Sequence, residues 1–501
     1  MENKFVNTAK GVSNVTLTEN GAIAFKSTGD SLVDLFGSIG SLRGADYSRI
    51  TKKFADAYGE DPLLATKMAF YARNVRGGLG ERETFRTILK YMAQVHPRVV
   101  LNNLNNIPHF GRWDDLYTLV GTDVEDAAWA LIKGQFITDA KDMAAGRPIS
   151  IMAKWLKSTN TSSSKSVRLG RKTAHALGLT EKNYRKALSA MRKYIDVVEK
   201  KMSSNDWENI DFEGVPSRAM AIYRDAFKRH GMNTFKEYIE KVEKGEATIK
   251  AATLYPYDIF EKMGFTGGGW SGNFKFNHYD QVLEAQWKAL PNYVGDGANF
   301  LVMADTSGSM MGRPMCTSVG LATYFAERNH GAFKDMFMTF SSRPSFVNLK
   351  GDTLYDKIKN VPSIVDNTNL EAAFDLVLKT AIQGNVPKED MPKALIVISD
   401  GEIDGFMGQG YYSSYANRAW GFLDAMRAKF RANGYEMPNV VMWNVESRHD
   451  TYLATTDFLG VQFASGQSPS VFKSLIANMG KSAYDAMVET LSDPMYDCVT
   501  L

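Results

Sequence analysis

Three oxygen-bearing side chains on one short loop set the first chemical expectation. Asp305, Ser307 and Ser309 close the stretch Phe300-Leu301-Val302-Met303-Ala304-Asp305-Thr306-Ser307-Gly308-Ser309, in which an apolar run ends in an acid followed by alternating hydroxyls. A buried parallel strand delivers ligands in this way to the carboxyl edge of an α/β sheet, where such sheets place their sites. Hard oxygens suit Mg²⁺ or Mn²⁺, which take few protein ligands and keep several waters. Two later residues extend the set. Thr368 stands just before the apolar-periodic run Glu371–Leu378, and Asp400 follows the apolar run Ala394–Ser399 and precedes Gly401.

A second chemistry is carried by charge. The chain has a net charge of +3, but residues 141–201 hold fifteen Lys and Arg against four Asp and Glu, so the remainder is acidic. A single basic block in a near-neutral protein is expected to bind a polyanion. The polar run Ser158–Lys165 reads as a loop, bracketed by Lys154, Trp155 and Lys157 before and Arg168, Arg171 and Lys172 after. Thr180 then caps a helix with Tyr184, Leu188, Met191, Ile195 and Val198 as its apolar seam. Lys182, Arg185, Lys186 and Lys193 fall on other faces. Lys154, Lys157, Lys165, Arg168, Arg171, Lys172, Lys182, Arg185, Lys186 and Lys193 are therefore the expected phosphate contacts. Trp155, His175 and Tyr184 are available to stack on unpaired bases, with core packing the alternative for each.

Three further clusters are noted. In Tyr71–Arg82, three arginines flank Gly77-Gly78-Leu79-Gly80. This reads either as a backbone approach to phosphate or as a helix stop with Arg–Glu pairing; no Lys-Ser/Thr follows, so it is not a nucleotide-binding P-loop. Pro108–Leu116 reads as a structural turn, with Arg112 and Trp113 as alternative binding residues. Phe265–Gly272 reads as a linker or turn.

The elements that must hold these residues fall into two halves. Val15–Phe25 reads as a hairpin about Asn20-Gly21. Apolar residues at three-four spacing then predict helices over Asp30–Leu42, Tyr47–Tyr58, Pro62–Val75, Glu81–Val95, Pro97–Leu104 and Glu237–Ala252. The series suggests an irregular α-solenoid, with a helical bundle as the alternative. From Asn299 onward strands at Phe300–Ala304, Met336–Phe340, Ala394–Ser399, Val440–Val445 and Val461–Phe463 alternate with helices such as Thr317–Arg328 and Trp420–Ala432. That is the pattern of a doubly wound, mostly parallel sheet. The expected class is α plus α/β, divided into 1–290 and 291–501.

Asp305, Ser307, Ser309, Thr368 and Asp400 resemble the metal-ion-dependent adhesion site of von Willebrand factor A domains. The resemblance implies direct binding by the first three residues. Thr368 and Asp400 would join directly or through water, and an acidic partner group would take the open position. The pairing with a helical N-terminal half is similar to the TROVE proteins, the Ro autoantigen and its bacterial relatives with a close uncharacterised branch. The likeness rests on Arg73–Arg82, Pro108–Leu116, Arg168–Met202 with Val215-Pro216-Ser217, and the five metal positions. It implies HEAT-like repeats closing into a ring with the metal domain. The implied partners are small noncoding RNA and single-stranded ends of misfolded RNA, with an exoribonuclease among the proteins recruited.

Other classes are less well supported. With 44% hydrophobic and 12% aromatic residues the chain is globular. No apolar run of about 18 residues is present, so no membrane span is expected, and the start lacks the apolar core of a signal peptide. Cys316 and Cys498 build no disulfide framework, which fits a reducing, cytoplasmic setting. The seven histidines have no zinc spacing. With no Gly-x-Ser-x-Gly elbow, Walker lysine or Cys/His pair, a non-enzymatic RNA-binding scaffold in RNA quality control or processing is expected. The alternative is a metal-dependent protein-interaction adaptor, for example for an ATPase.

Overall fold

The computed structural model describes residues 13–266, 274–295, 299–341, 343–359, 361–362, 368–403, 422–456 and 458–501. Most of the Phe265–Gly272 turn lies outside the described residues. The contacts gather the chain into two units that differ from a cut at 290. One comprises 1–61, 77–79 and 251–492; the other comprises 62–76, 80–250 and 493–501. Among the described residues, no helix is long and apolar enough to cross a membrane.

The first unit is built on a six-stranded sheet: β3 Phe300–Asp305, β4 Met336–Phe340, β5 Ser345–Asn348, β6 Ala394–Ser399, β7 Asn439–Asn444 and β8 Val461–Ser465, in the order β5-β4-β3-β6-β7-β8. All pairings are parallel except β4 with the edge strand β5. Every residue of β3 and β6 is buried, as expected of central strands covered on both faces, and this is why their sequences run apolar without alternation. Chain order reverses direction between β3 and β6. In open α/β sheets that is where a crevice forms beyond the strand ends.

The N-terminal segment belongs to this unit. β1 Val15–Leu17 and β2 Ile23–Phe25 form the expected antiparallel hairpin, with Gly21 at φ +85° in the turn. Phe25 exchanges backbone hydrogen bonds with Tyr452 (2.8 and 2.9 Å). The helix Ser31–Ser38 starts at Asp30, whose carboxylate accepts from Val33 N (2.9 Å); such a cap contributes about 1 kcal/mol. Gly40 then lies so close to β8 that a Cβ would overlap the Ser465 carbonyl. Only glycine fits there.

The second unit is helical. Pro62–Arg73, Arg82–Val95, Pro97–Asn102 and Asn106–Phe110 are followed by a 3₁₀ turn, Trp113–Leu119, and then by Glu125–Ala144, Met152–Trp155, Ser164–Ala176, Glu181–Tyr194, Val198–Ser203, Ser217–His230 and Met232–Glu243. Helix ends fall close to the expected positions, except that the helix expected over Glu237–Ala252 starts earlier and stops at Glu243. Residues 493–501 complete this unit. Tyr496 stacks on Phe110 with centroids 5.5 Å apart, and Asn103 both donates to Thr500 O (2.6 Å) and accepts from Thr500 N (3.1 Å).

Candidate functional site

Asp305 ends β3, and Asp400 follows the last residue of β6, so parallel pairing of these strands brings both acids to one sheet edge. Asp305 is fully buried and Asp400 is 1% exposed. The Asp305 carboxylate accepts from Ser307 N (2.8 Å) and from Ser399 Oγ (2.6 Å). Ser307 Oγ and Ser309 Oγ lie 3.0 Å apart. Thr368 is buried and donates to Glu402 O (3.2 Å); it stands one residue before Asn369, the N-cap of the helix Leu370–Gln383. Burial, and then the charge of Asp400, push the Asp305 carboxyl up to about 7. A divalent cation would remove that repulsion, and the donor set consists wholly of hard oxygens. The donor types of the five residues are compatible with Mg²⁺ or Mn²⁺.

The structure adds neighbours to this set. Arg448 Nη2 donates to Asp400 Oδ2 (2.7 Å), and its Nη1 pairs with Glu19 (3.2 Å). Glu402, 1% exposed, holds His449 Nδ1 at 2.9 Å and accepts from Glu19 N (2.6 Å). Ligand atoms of Glu19, Glu402 and His449 lie within 4.8 Å of one another. A sequence signal existed for part of this: Arg448 and His449 follow the end of β7 as Asp400 and Glu402 follow β6. Glu19 carried none, because it reaches the edge from the β1–β2 turn.

In the helical unit the basic block divides. Lys154 pairs with Glu199 (3.8 Å), Lys157 with Asp114 (3.3 Å), Arg171 with Glu181 (3.1 Å) and Lys172 with Glu125 (3.0 Å). Acids are few within the block itself, and two of the partners, Asp114 and Glu125, come from outside it. Lys165, Arg168, Lys182, Arg185, Lys186 and Lys193 are exposed and make no ion pair among the described residues. Lys165 and Arg168 are three apart on one helix. Lys182, Arg185, Lys186 and Lys193 follow the three-four rhythm of one stripe on the next. These two helices, Ser164–Ala176 and Glu181–Tyr194, pack together. Gly170 lets the preceding loop lie close against the first of them, since a Cβ there would meet the Ser158 carbonyl at 2.7 Å.

Of the three rings expected to be available for stacking, Tyr184 is not. It is fully buried, and its hydroxyl donates to Lys157 O (2.8 Å). Trp155 is half-buried with the Arg112 guanidinium 4.1 Å from its ring centroid, and His175 is exposed. Arg192, not singled out by sequence, donates to Ala153 O, Leu156 O and Ser158 Oγ (2.8, 2.7 and 3.0 Å), pinning the loop beneath the block.

The two arginine motifs converge. Arg73, 2% exposed, pairs with the fully buried Asp115 (2.8 Å), as does Arg86 (2.8 Å). Arg112 forks onto Asp114 through two bonds of 2.9 Å. Burial opposes ionisation of Asp114, but Arg112, Arg86 and Lys157 outweigh it and hold the carboxyl below its usual range. Gly111 is required here, because a Cβ would run into the Asp115 carboxylate and the Arg73 guanidinium. The glycine loop supports the helix-stop reading: Gly80 N is already taken by Asn74 O (3.1 Å), and Arg82 pairs with Glu83 (2.7 Å).

Residues 18–148 and 146–298 match the family described as Domain of unknown function (DUF2828), and residues 299–494 match that described as Domain of unknown function (DUF7788). An uncharacterized protein of Acanthamoeba polyphaga mimivirus is 25% identical, over 88% of this chain and 81% of the viral protein. Among solved structures, the crystal structure of Deinococcus radiodurans RO (RSR) protein aligns with 93% of this chain and 99% of that one. The identity is 12% and the TM-score 0.34.

Proposed function

Starting from the fact that the chain belongs to the family described as Domain of unknown function (DUF2828), we propose that it is a non-enzymatic RNA-binding scaffold whose helical unit carries the RNA surface. One observation supports this above the others. Six exposed cations sit on two packed helices, and no carboxylate among the described residues neutralises them. Such charge attracts the phosphate backbone and releases its counterions, and it does so without reading sequence. The sequence likeness to TROVE proteins points to the same class. Small noncoding or misfolded RNA is then the substrate, in quality control or processing.

In this reading Asp305, Ser307 and Ser309 hold one Mg²⁺ or Mn²⁺, with Thr368 and Asp400 joining directly or through water. Bound, the cation supplies a Lewis-acidic contact for a carboxylate of a protein partner. The chain's own residues prepare that contact. Ser399 and the Ser307 amide orient Asp305, and Arg448 fixes one oxygen of Asp400.

Binding of a structured RNA across a salt series tests the reading. Six phosphate contacts give a slope of log K against log salt of roughly −4 to −5. A flat response, or no binding at low salt, would contradict it.

A further inference from the structure

The motif arginines and the basic block meet at a cluster that the surface stripe does not use. Among the described residues, Arg82, Arg86, Arg112 and Lys157, with the deeply buried Arg73, share only Glu83, Asp114 and Asp115 as ion-pair partners. Five cations on three carboxylates leave an excess of two positive charges in a partly buried place. Arg86 Nη2 is buried and lacks a hydrogen-bond partner, although Asp114 lies 3.2 Å away. Trp155 Nε1, beneath Arg112, is also buried and unpartnered. Desolvation by burial pushes the Arg112 guanidinium below its usual range, Asp114 and Asp115 only partly offsetting this, and the nearby charge of Arg82 adds a smaller push the same way. Net charge and idle donors of this kind are costly unless a counterion supplies what the protein lacks.

We propose that Arg82, Arg86, Arg112, Lys157 and Trp155 form a receptor for a phosphomonoester at the end of an RNA strand. Guanidinium groups match the oxygens of phosphate. A backbone phosphodiester carries one negative charge, whereas a terminal phosphomonoester approaches two at neutral pH, its second pKa being about 6. The excess of two therefore matches a strand end better than a strand interior. Trp155 holds the Arg112 guanidinium against its face by a cation–π contact. The inference rests on the RNA-binding reading above and adds which part of the RNA this cluster takes.

The test uses the full chain at fixed ionic strength and one single-stranded RNA in three forms: 5′-phosphorylated, 3′-phosphorylated, and with hydroxyls at both ends. One phosphorylated form, which identifies the source, should bind about tenfold tighter than the hydroxyl form, equivalent to about 1.4 kcal/mol. Arg82→Gln and Arg112→Gln should each remove that gain while leaving the hydroxyl form's affinity unchanged. Arg112→Gln strips a partner from buried Asp114 and risks unfolding. Arg82 is 46% exposed and paired with exposed Glu83, so Arg82→Gln, its fold checked by circular dichroism, decides. Equal affinity for all three forms, or a gain that survives Arg82→Gln, overturns the inference while salt-dependent binding stands. Failure of every form to bind overturns the RNA reading itself.

Discussion

At the ends of β3 and β6 the protein brings like charges together out of water, Asp305 and Asp400 both lying beneath the surface. On the helices Ser164–Ala176 and Glu181–Tyr194 it leaves like charges in solvent, Lys165, Arg168, Lys182, Arg185, Lys186 and Lys193 being exposed. Buried repulsion is expensive and demands a counterion of fixed size and geometry, which a divalent cation supplies. Exposed repulsion is screened and cheap, so it suits a partner whose charge is spread along a chain. The Arg112 cluster stands between these extremes, partly buried and carrying a modest excess. On the proposed reading, burial separates three kinds of ligand that a count of charges alone does not.

The sharpest break of this comparison is Asp115→Ala. It strands the buried Arg73 and removes a partner from Arg86, and should destabilise the helical unit by about 3 to 5 kcal/mol. Chemical denaturation read through the helical signal checks this; a loss below about 1 kcal/mol would show that the network is solvated in solution.

Next in size is the metal effect. Mg²⁺ at about 100 times its dissociation constant should stabilise the wild type by about 2.7 kcal/mol. Asp305→Ala should lose that response in thermal unfolding. An unchanged Mg²⁺ response in the variant would place the cation elsewhere, with Glu19, Glu402 and His449 the first residues to examine.

A smaller effect concerns acid. The Asp114 carboxyl is held below its usual range in the fold. Its contribution to stability is therefore fully present above the unfolded value of about 3.9 and lost as pH falls through the lower folded value. Asp114→Asn should flatten the stability profile in that acid window and nowhere above it. A profile as steep in the variant as in the wild type would assign the acid loss to other groups.

The smallest expected effect is none. The cationic stripe and the metal residues belong to different units, so EDTA and Asp305→Ala should leave RNA affinity unchanged for an RNA whose own fold needs no Mg²⁺. A tenfold loss, about 1.4 kcal/mol of coupling, would mean that the metal centre is part of the RNA site.

How far the sequence could be read follows the same physics. β3 and β6 were legible because strands buried on both faces are continuous apolar runs, and their terminal acids stand out against them. The helical segments were legible from periodicity. Partners distant in the chain were not: Glu19 joins Glu402 across 383 positions, and Lys172 finds Glu125 across 47. No local pattern encodes such meetings, and so the block appeared less neutralised than it is. Arg112 and Trp155 were each visible as polar or aromatic candidates, but their stacking depends on how the 3₁₀ turn Trp113–Leu119 meets the short helix Met152–Trp155. Contacts group the chain differently from a cut near 290: the hairpin Val15–Phe25 joins the sheet unit through Tyr452, and residues 493–501 return to the helical unit.

The central claim is that the unpaired cations contact RNA phosphates, and charge reversal tests it most directly. RNA binding should be measured across a salt series for the wild type and for Lys165→Glu, Arg168→Glu, Arg185→Glu and Lys186→Glu combined, with two RNAs of unrelated sequence. The account predicts that the variant binds both RNAs more weakly by a similar factor and that the salt slope becomes shallower by about 3. Unchanged affinity and slope, or a loss confined to one sequence, would contradict it.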